Sequence, residues 1–182
     1  ERLTLPPSQD EIPMTHAYRP LQFLGFLGCV AGLGFAVYLE HFQGLEPCPM
    51  CIFQRVAMLA TGLVFLLAGL HGPRRGGRGV YAFLALLTSS AGAFVAGRHV
   101  WLQSLPADQV PACGPTLDYL MDVMPFAEVL STVLRGDGNC AVIEAAWLGI
   151  SRPGWTLIAF IGLAVYAVAV PVLARQPFDR LD

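Results

Sequence analysis

The chain has no lysine; all 11 of its basic residues are arginine. Charged residues fill only 13% of the 182 positions, against roughly 25% in soluble domains. With 55% hydrophobic residues, this scarcity excludes intrinsic disorder, which needs low hydrophobicity and high net charge. It also argues against an ordinary water-soluble globule. The arginines form no basic face and the net charge is −2, so the chain is not expected to bind nucleic acid. No phosphate-binding loop, dinucleotide glycine fingerprint or nucleophile elbow occurs, and no internal repeat is evident.

Long apolar runs are what the chain does have. A membrane-spanning helix needs about 20 mostly apolar residues. Leu21–Leu39, Ile52–Leu70, Val80–Gly97 and Thr156–Ala174 qualify. Arg55 is the one charge among them, and Pro171 sits near an end, where a membrane helix tolerates it. The expected fold is therefore an all-α, four-helix transmembrane bundle, embedded in a lipid bilayer, with two outward loops at about 40–51 and 98–155. Glu1–Pro20 reads as a flexible polar tail rather than a signal peptide, with Met14 as an alternative start. Residues 175–182 form a short second tail.

Four spans put both tails on one side, together with the arginine-rich loop His71–Gly79 (Arg74, Arg75 and Arg78). The positive-inside rule makes that side cytoplasmic. The opposite side holds Arg98, Arg135 and Arg152, and eight of the 13 acidic residues.

Four of the five cysteines fall in the outward loops: Cys48 and Cys51 in the first, Cys113 and Cys140 in the second. The outside of a bacterial inner membrane is oxidising, so two outward pairs can form two disulfides. Cys29 is left inside span one as a small apolar packing residue. The Cys48-Pro49-Met50-Cys51 segment opens span two. A proline suits the first helical turn, and a cysteine at a helix N-terminus is favoured as a thiolate. Arg55, four residues beyond Cys51, projects from the same helix face. A charge just inside the membrane is a functional-site signal, here for stabilising an anion: the Cys51 thiolate, a reduced cofactor oxygen, or both. A bare Cys-x-x-Cys also serves haem attachment and zinc sites. Ile52 replaces the histidine that haem attachment needs, and the 26 residues between Cys113 and Cys140 form no second zinc knuckle. No metal is expected.

In the second loop, Leu117, Leu120, Met121 and Met124 recur at helical spacing, as do Phe126, Val129, Leu130, Val133 and Leu134 after Pro125. These read as short amphipathic helices in the membrane interface. Gly136-Asp137-Gly138-Asn139 reads as a flexible turn before Cys140, suited to a disulfide that moves between partners; a structural staple is the alternative. His99, at the outer end of span three, is a candidate for bonding a quinone carbonyl or carrying a proton. His16, His41 and His71 read as solvated. Gly28 and Gly32 form a Gly-xxx-Gly pattern for close helix packing, within the bundle rather than between chains, so a monomer is expected.

Taken together, these residues resemble the DsbB family, the bacterial inner-membrane thiol:quinone oxidoreductases that form disulfide bonds. The resemblance rests on four spans, Glu46-Pro47-Cys48-Pro49-Met50-Cys51-Ile52-Phe53-Gln54-Arg55 at the start of span two, His99 before Cys113, Cys140, and the ending Gln176-Pro177-Phe178. It covers about Leu21 to Phe178 and leaves the polar leader without a counterpart. It implies that a periplasmic DsbA-type thiol oxidase attacks a Cys113–Cys140 disulfide at Cys113. Cys140 then attacks Cys48, and Cys51 leaves as a thiolate that passes electrons to membrane quinone through a charge-transfer complex. Arg55 and His99 become the quinone-side residues. Ubiquinone is the implied acceptor in air, and menaquinone without oxygen. DsbA is itself a strong oxidant at about −120 mV, so an ordinary disulfide does not readily reoxidise it, whereas a quinone can. Two other readings are a vitamin K epoxide reductase-like enzyme, whose usual cysteine order is reversed here, and a membrane scaffold with two structural disulfides.

Overall fold

The computed structural model describes residues 15–44, 47–106, 108–143 and 146–174. Four long helices dominate: α1 (Thr15–Gln43), α2 (Pro49–His71), α3 (Arg75–Gln103) and α7 (Arg152–Leu173). Each carries a stretch long and apolar enough to cross a membrane. Their starts and stops follow local chemistry. Proline occupies the first turn of α2 and of α7, where its missing N–H leaves nothing unpaired. Helix α2 ends at Gly72 (φ 57°), whose N–H bonds to the Ala68 carbonyl, the left-handed stop that glycine adopts without strain.

The helices run past the hydropathy-defined spans. Thr15–Pro20, expected in the flexible tail, forms the start of α1. The expected loop His71–Gly79 shrinks to the turn between α2 and α3, because Arg75 already opens α3. Arg98 and Trp155, expected to bound the second loop, lie inside α3 and α7. Hydropathy marks where side chains turn polar, but backbone hydrogen bonds continue through such residues, and long side chains reach back to water. His41 and His71 are exposed, in the last turns of α1 and α2. The expectations for residues 1–14 and 175–182 lie outside the described residues.

Helices α1 and α2, α2 and α3, and α3 and α7 pack as successive antiparallel neighbours. Their core holds Cys29, Met58, Phe65, Ala85, Ala96, Phe160 and Ala167. Close approach does not occur at the Gly28/Gly32 pair. Nothing lies within 4 Å of a Cβ built on Gly28, and Gly32 would meet only the Met58 methyl at 3.8 Å. The tight contacts are elsewhere: Gly62 against Cys29 at 3.1 Å, Gly25 against Phe65 and Tyr166 at 3.1 Å, and Gly92 against the Phe160 ring. The spacing was right for small-residue packing, but that face of α1 looks outward.

At the end where the chain turns from α2 to α3, arginines bind open helix carbonyls. Arg19 donates to the Gly69 and Leu70 carbonyls at 2.9 and 3.2 Å. Arg78 donates to the Ala174 carbonyl at 3.1 Å and stacks on Tyr18. The last turn of a helix leaves carbonyls without intrahelical partners, and a cation there also meets the negative end of the dipole.

The opposite end carries the second loop: α4 (Leu117–Val123), α5 (Phe126–Arg135), α6 (Gly138–Ala141) and a hairpin of β1 (Ala146–Trp147) and β2 (Ile150–Ser151). Pro125 separates α4 from α5, as the spacing predicted. A second core of Met50, Leu102, Leu120, Val129, Val133 and Cys140 fixes this loop to the bundle. Arg98 of α3 adds a clasp, donating to the Leu134 and Arg135 carbonyls at 3.1 Å and lying over the Trp101 ring.

A Gly92→Ala variant should lose about 1–3 kcal/mol of stability through overpacking against buried Phe160, whereas Gly28→Ala should be neutral. Unfolding in detergent, followed by circular dichroism, compares them; equal losses would contradict this packing.

Candidate active site

Cys48 is the N-cap of α2, in extended backbone, and Cys51 lies in the helix's first turn. Both are free thiols with their sulfurs 3.1 Å apart. The pair thus sits at the positive end of a helix whose first N–H groups have no intrahelical acceptor.

His99, 3% exposed, stands above them on α3. Its Nε2 lies 3.0 Å from the Cys140 carbonyl and 3.9 Å from Cys48 Sγ. Its Nδ1 lies 3.2 Å from Gln54 Nε2. A carbonyl oxygen only accepts, so Nε2 carries the proton and donates to Cys140, while Nδ1 accepts from the Gln54 amide. Cys48, Cys51 and His99 place two sulfurs and a nitrogen within 4.8 Å of one another. Such a donor set suits zinc in general, but His99 Nε2 is engaged by the Cys140 carbonyl and Cys113 is not in the group.

Cys140 is 1% exposed in the second core. The preceding glycine-rich segment is not a free turn. Asp137 caps α6 by accepting the Cys140 N–H at 3.1 Å, Gly138 N–H donates to the Ala112 carbonyl, and Asn139 donates to the Gly114 carbonyl. These bonds stitch the Cys140 segment to the Cys113 segment. The glycines permit it: a Cβ on Gly138 would lie 2.8 Å from the Pro111 carbonyl and 3.1 Å from Cys113 Sγ. Cys113 itself is exposed. A shallow cleft lined by Pro49, Gly114, Leu120, Val133 and Cys140 opens beside it.

The two facing thiols are electronically unequal. Cys48 is pushed above the ordinary thiol value, first by its hydrogen bond to Cys140, then by its bond to Cys51 and by burial. Cys140 is held below that value, chiefly because it accepts the Cys48 bond; burial and Asp137 oppose this, and His99 and the Met50 backbone N–H assist. Cys140 is thus the member of the pair with thiolate character, and the thiolate is the nucleophile in sulfur exchange.

The structure therefore brings Cys48, Cys51, His99 and Cys140 together and leaves Cys113 at the surface. Arg55 bonds to α1: its guanidinium pairs with the Glu40 carboxylate at 2.5 Å and donates to the Ala36 carbonyl at 3.3 Å. Arg152, at the first position of α7, is a guanidinium with electrostatic influence on Cys51.

The family model described as "Disulfide bond formation protein DsbB" matches residues 18–170. The chain belongs to the DsbB family. It is 54% identical over 152 residues to the disulfide bond formation protein B of Hahella chejuensis, covering 83% of this chain and 92% of the relative. The proteins of that name in Marinobacter nauticus and Acinetobacter baylyi are 51% and 50% identical over 159 and 165 residues, covering 87% and 90% of this chain and 95% and 96% of theirs. Membership in the DsbB family decides against the vitamin K epoxide reductase-like reading and makes the chain a disulfide-generating oxidoreductase.

Sequence reasoning passed over Gln54, Glu40, Arg98 and Arg152. Gln54 adjoins Arg55, and a glutamine 5% exposed in a membrane span is a signal in itself, since a buried amide needs partners. Glu40 falls just past the hydropathy-defined span, although α1 continues through it. Nothing in the sequence reveals which carbonyls Arg98 would reach.

In reduced protein, nitrogen-15 NMR should show His99 as the Nε2–H tautomer; a proton on Nδ1 would contradict the bonding described. Gln54→Leu, which leaves Nδ1 without its donor, should cost about 1–3 kcal/mol of stability. Carbon-13 Cβ titration should find Cys140 ionising below the ordinary thiol range and Cys48 above it. A depressed value stabilises the fold at high pH, and this contribution falls away as pH drops through the native value; Cys48 has the opposite sign. Cys48→Ala should return Cys140 towards the ordinary range.

Proposed function

We propose that this chain reoxidises a periplasmic DsbA-type thiol oxidase and delivers the electrons to membrane quinone, from the bacterial inner membrane, as a monomer. The observation that carries this reading is the pairing of a buried Cys140, set against Cys48, with an exposed Cys113 stitched to the same segment. The arginine-bearing end, with Arg19, Arg74 and Arg78, supports a cytoplasmic location for that end, leaving the cysteines in the oxidising periplasm.

In the resting oxidised enzyme, Cys113 pairs with Cys140 and Cys48 with Cys51. A partner thiolate attacks Cys113 Sγ; a partner–Cys113 disulfide forms, the Cys113–Cys140 bond breaks, and Cys140 leaves as a thiolate. Cys140 then attacks Cys48 Sγ, forming Cys48–Cys140 and releasing Cys51 as a thiolate beside the α2 N-terminus and Arg152. The partner's second thiolate attacks its own mixed-disulfide sulfur and frees Cys113, which restores the Cys113–Cys140 bond by displacing Cys48. The partner leaves oxidised, and its two electrons rest on Cys48 and Cys51.

A quinone, ubiquinone in air and menaquinone without oxygen, supplies the oxidising power by accepting two electrons and two protons as Cys48–Cys51 re-forms. Residues here suit such a group. His99 sets its ring beside Cys48, with Nε2 3.9 Å from that sulfur and its N–H given to the Cys140 carbonyl. Arg55 keeps donors beyond those given to Glu40 and Ala36. Gln103, one turn along α3 from His99, has a buried side-chain oxygen without a hydrogen-bond partner among the described residues. The Gln54–His99–Cys140 chain holds the imidazole in one orientation and keeps its proton at Nε2, on the Cys140 carbonyl.

The test is anaerobic addition of a ubiquinone analogue to reduced, detergent-purified protein, with alkylation mapping of every cysteine. Cys48, Cys51, Cys113 and Cys140 should become oxidised while Cys29 stays free. Cys51→Ser should abolish quinone reduction, and Cys113→Ser should abolish capture of the partner oxidase. Four cysteines that stay reduced in folded protein, or turnover retained by Cys51→Ser, would overturn the reading.

A further inference from the structure

The β1–β2 hairpin takes no part in the chemistry above, yet its turn is unusual. Leu148 has φ 53°, the only positive φ of a non-glycine residue among those described, and is followed by Gly149 at φ 78°. The left-handed region favours glycine or asparagine, not leucine. The turn geometry therefore does not call for this side chain, and among the described residues no packing employs it: Leu148 is 76% exposed and its neighbour Trp147 is 70% exposed.

The position of the hairpin indicates what covers it. Strand β2 ends at Ser151, and α7 begins at the next residue. Trp155, in the first turn of α7, donates its indole N–H to the Trp147 carbonyl at 3.1 Å, and the two rings lie 5.7 Å apart. The hairpin is thus folded back onto the mouth of a membrane span. Below Trp155, at helical spacing, Ile158, Ile161 and Val165 are exposed on α7. They form an apolar stripe that, in a span, faces acyl chains. Trp147 and Leu148 continue that stripe beyond the helix end, at the level where tryptophan favours the boundary between headgroups and acyl chains.

We propose that the Ala146–Ser151 hairpin is a lipid anchor, with Trp147 and Leu148 inserted between the headgroups and upper acyl chains of the leaflet at the cysteine-bearing end. The occupant is phospholipid rather than a protein partner because the exposed surface is continuous with the lipid-facing stripe of α7. This rests on the four-span architecture and is independent of the redox reading.

The full chain is reconstituted into phosphatidylcholine–phosphatidylglycerol vesicles, and Trp147 emission is isolated as the difference from Trp147→Phe. Lipids brominated near the top of the acyl chain should remove most of this emission, and aqueous iodide should leave it nearly unchanged. Leu148→Asp should make Trp147 accessible to iodide while the circular dichroism of the bundle is retained. Quenching by iodide but not by brominated lipid would overturn the anchor. So would a Trp147 reached by iodide until a DsbA-type oxidase is added, which would reassign the surface to a protein partner.

Discussion

The hydrogen bond from the His99 ring to the Cys140 carbonyl joins the two halves of the molecule. On one side is a bundle built for hydrocarbon, with its cysteine pair at a helix N-terminus. On the other is a loop that must hold one cysteine over that pair while keeping another in solvent. The bond is made to backbone, so it is indifferent to the oxidation state of the Cys140 sulfur. It can therefore position Cys140 as thiol, thiolate or half of a disulfide. Gln54 secures the far side of the ring, and Met50 closes the floor, its side chain in the loop core and its N–H on the Cys140 sulfur. Geometry and nucleophilicity at this point come from the same contacts.

Arginine performs a related task at both ends of the bundle. Arg19, Arg78 and Arg98 each donate to backbone carbonyls that helix ends leave open. Lysine, a compact charge without a planar fork, is a poorer match for paired carbonyls. A chain with no lysine uses guanidinium groups to seal helix ends near a membrane, where an unpaired carbonyl is costly. Arg19 and Arg78, two of the arginines that indicate orientation in the sequence, also complete backbone hydrogen bonding in the fold.

The spans and the Cys-x-x-Cys segment were legible because hydropathy and thiol spacing are local properties. The failures share one cause: each depended on which neighbour a side chain would meet. Gly28 and Gly32 had the right spacing but lie on the wrong face of α1, while Gly62 and Gly92, which belong to no Gly-xxx-Gly pair, take the close contacts. The partner of Arg55 was hidden for the same reason: Glu40 lies just past the hydropathy-defined span, yet α1 continues through it and sets its carboxylate on the guanidinium. The glycine-rich run before Cys140 looked flexible by composition. Its glycines instead permit the close approach that stitches two cysteine segments together. The hairpin gave no warning, since Leu148-Gly149 lacks the asparagine or aspartate that usually marks such a turn.

Only five residues separate Cys140 from the first strand of the hairpin, whose second strand leads directly into α7. A tether of that length reaches about 20 Å when fully extended. In the proposed relay, Cys140 released from Cys113 therefore stays within a small volume around Cys48, at an effective concentration on the order of millimolar for a tether of that span. Exchange between these sulfurs is in kinetic terms a unimolecular event, and small thiols or disulfides in the surrounding solution must reach comparable concentrations to intercept it. The insulation of this electron route from its surroundings is thus a matter of chain length as much as of burial.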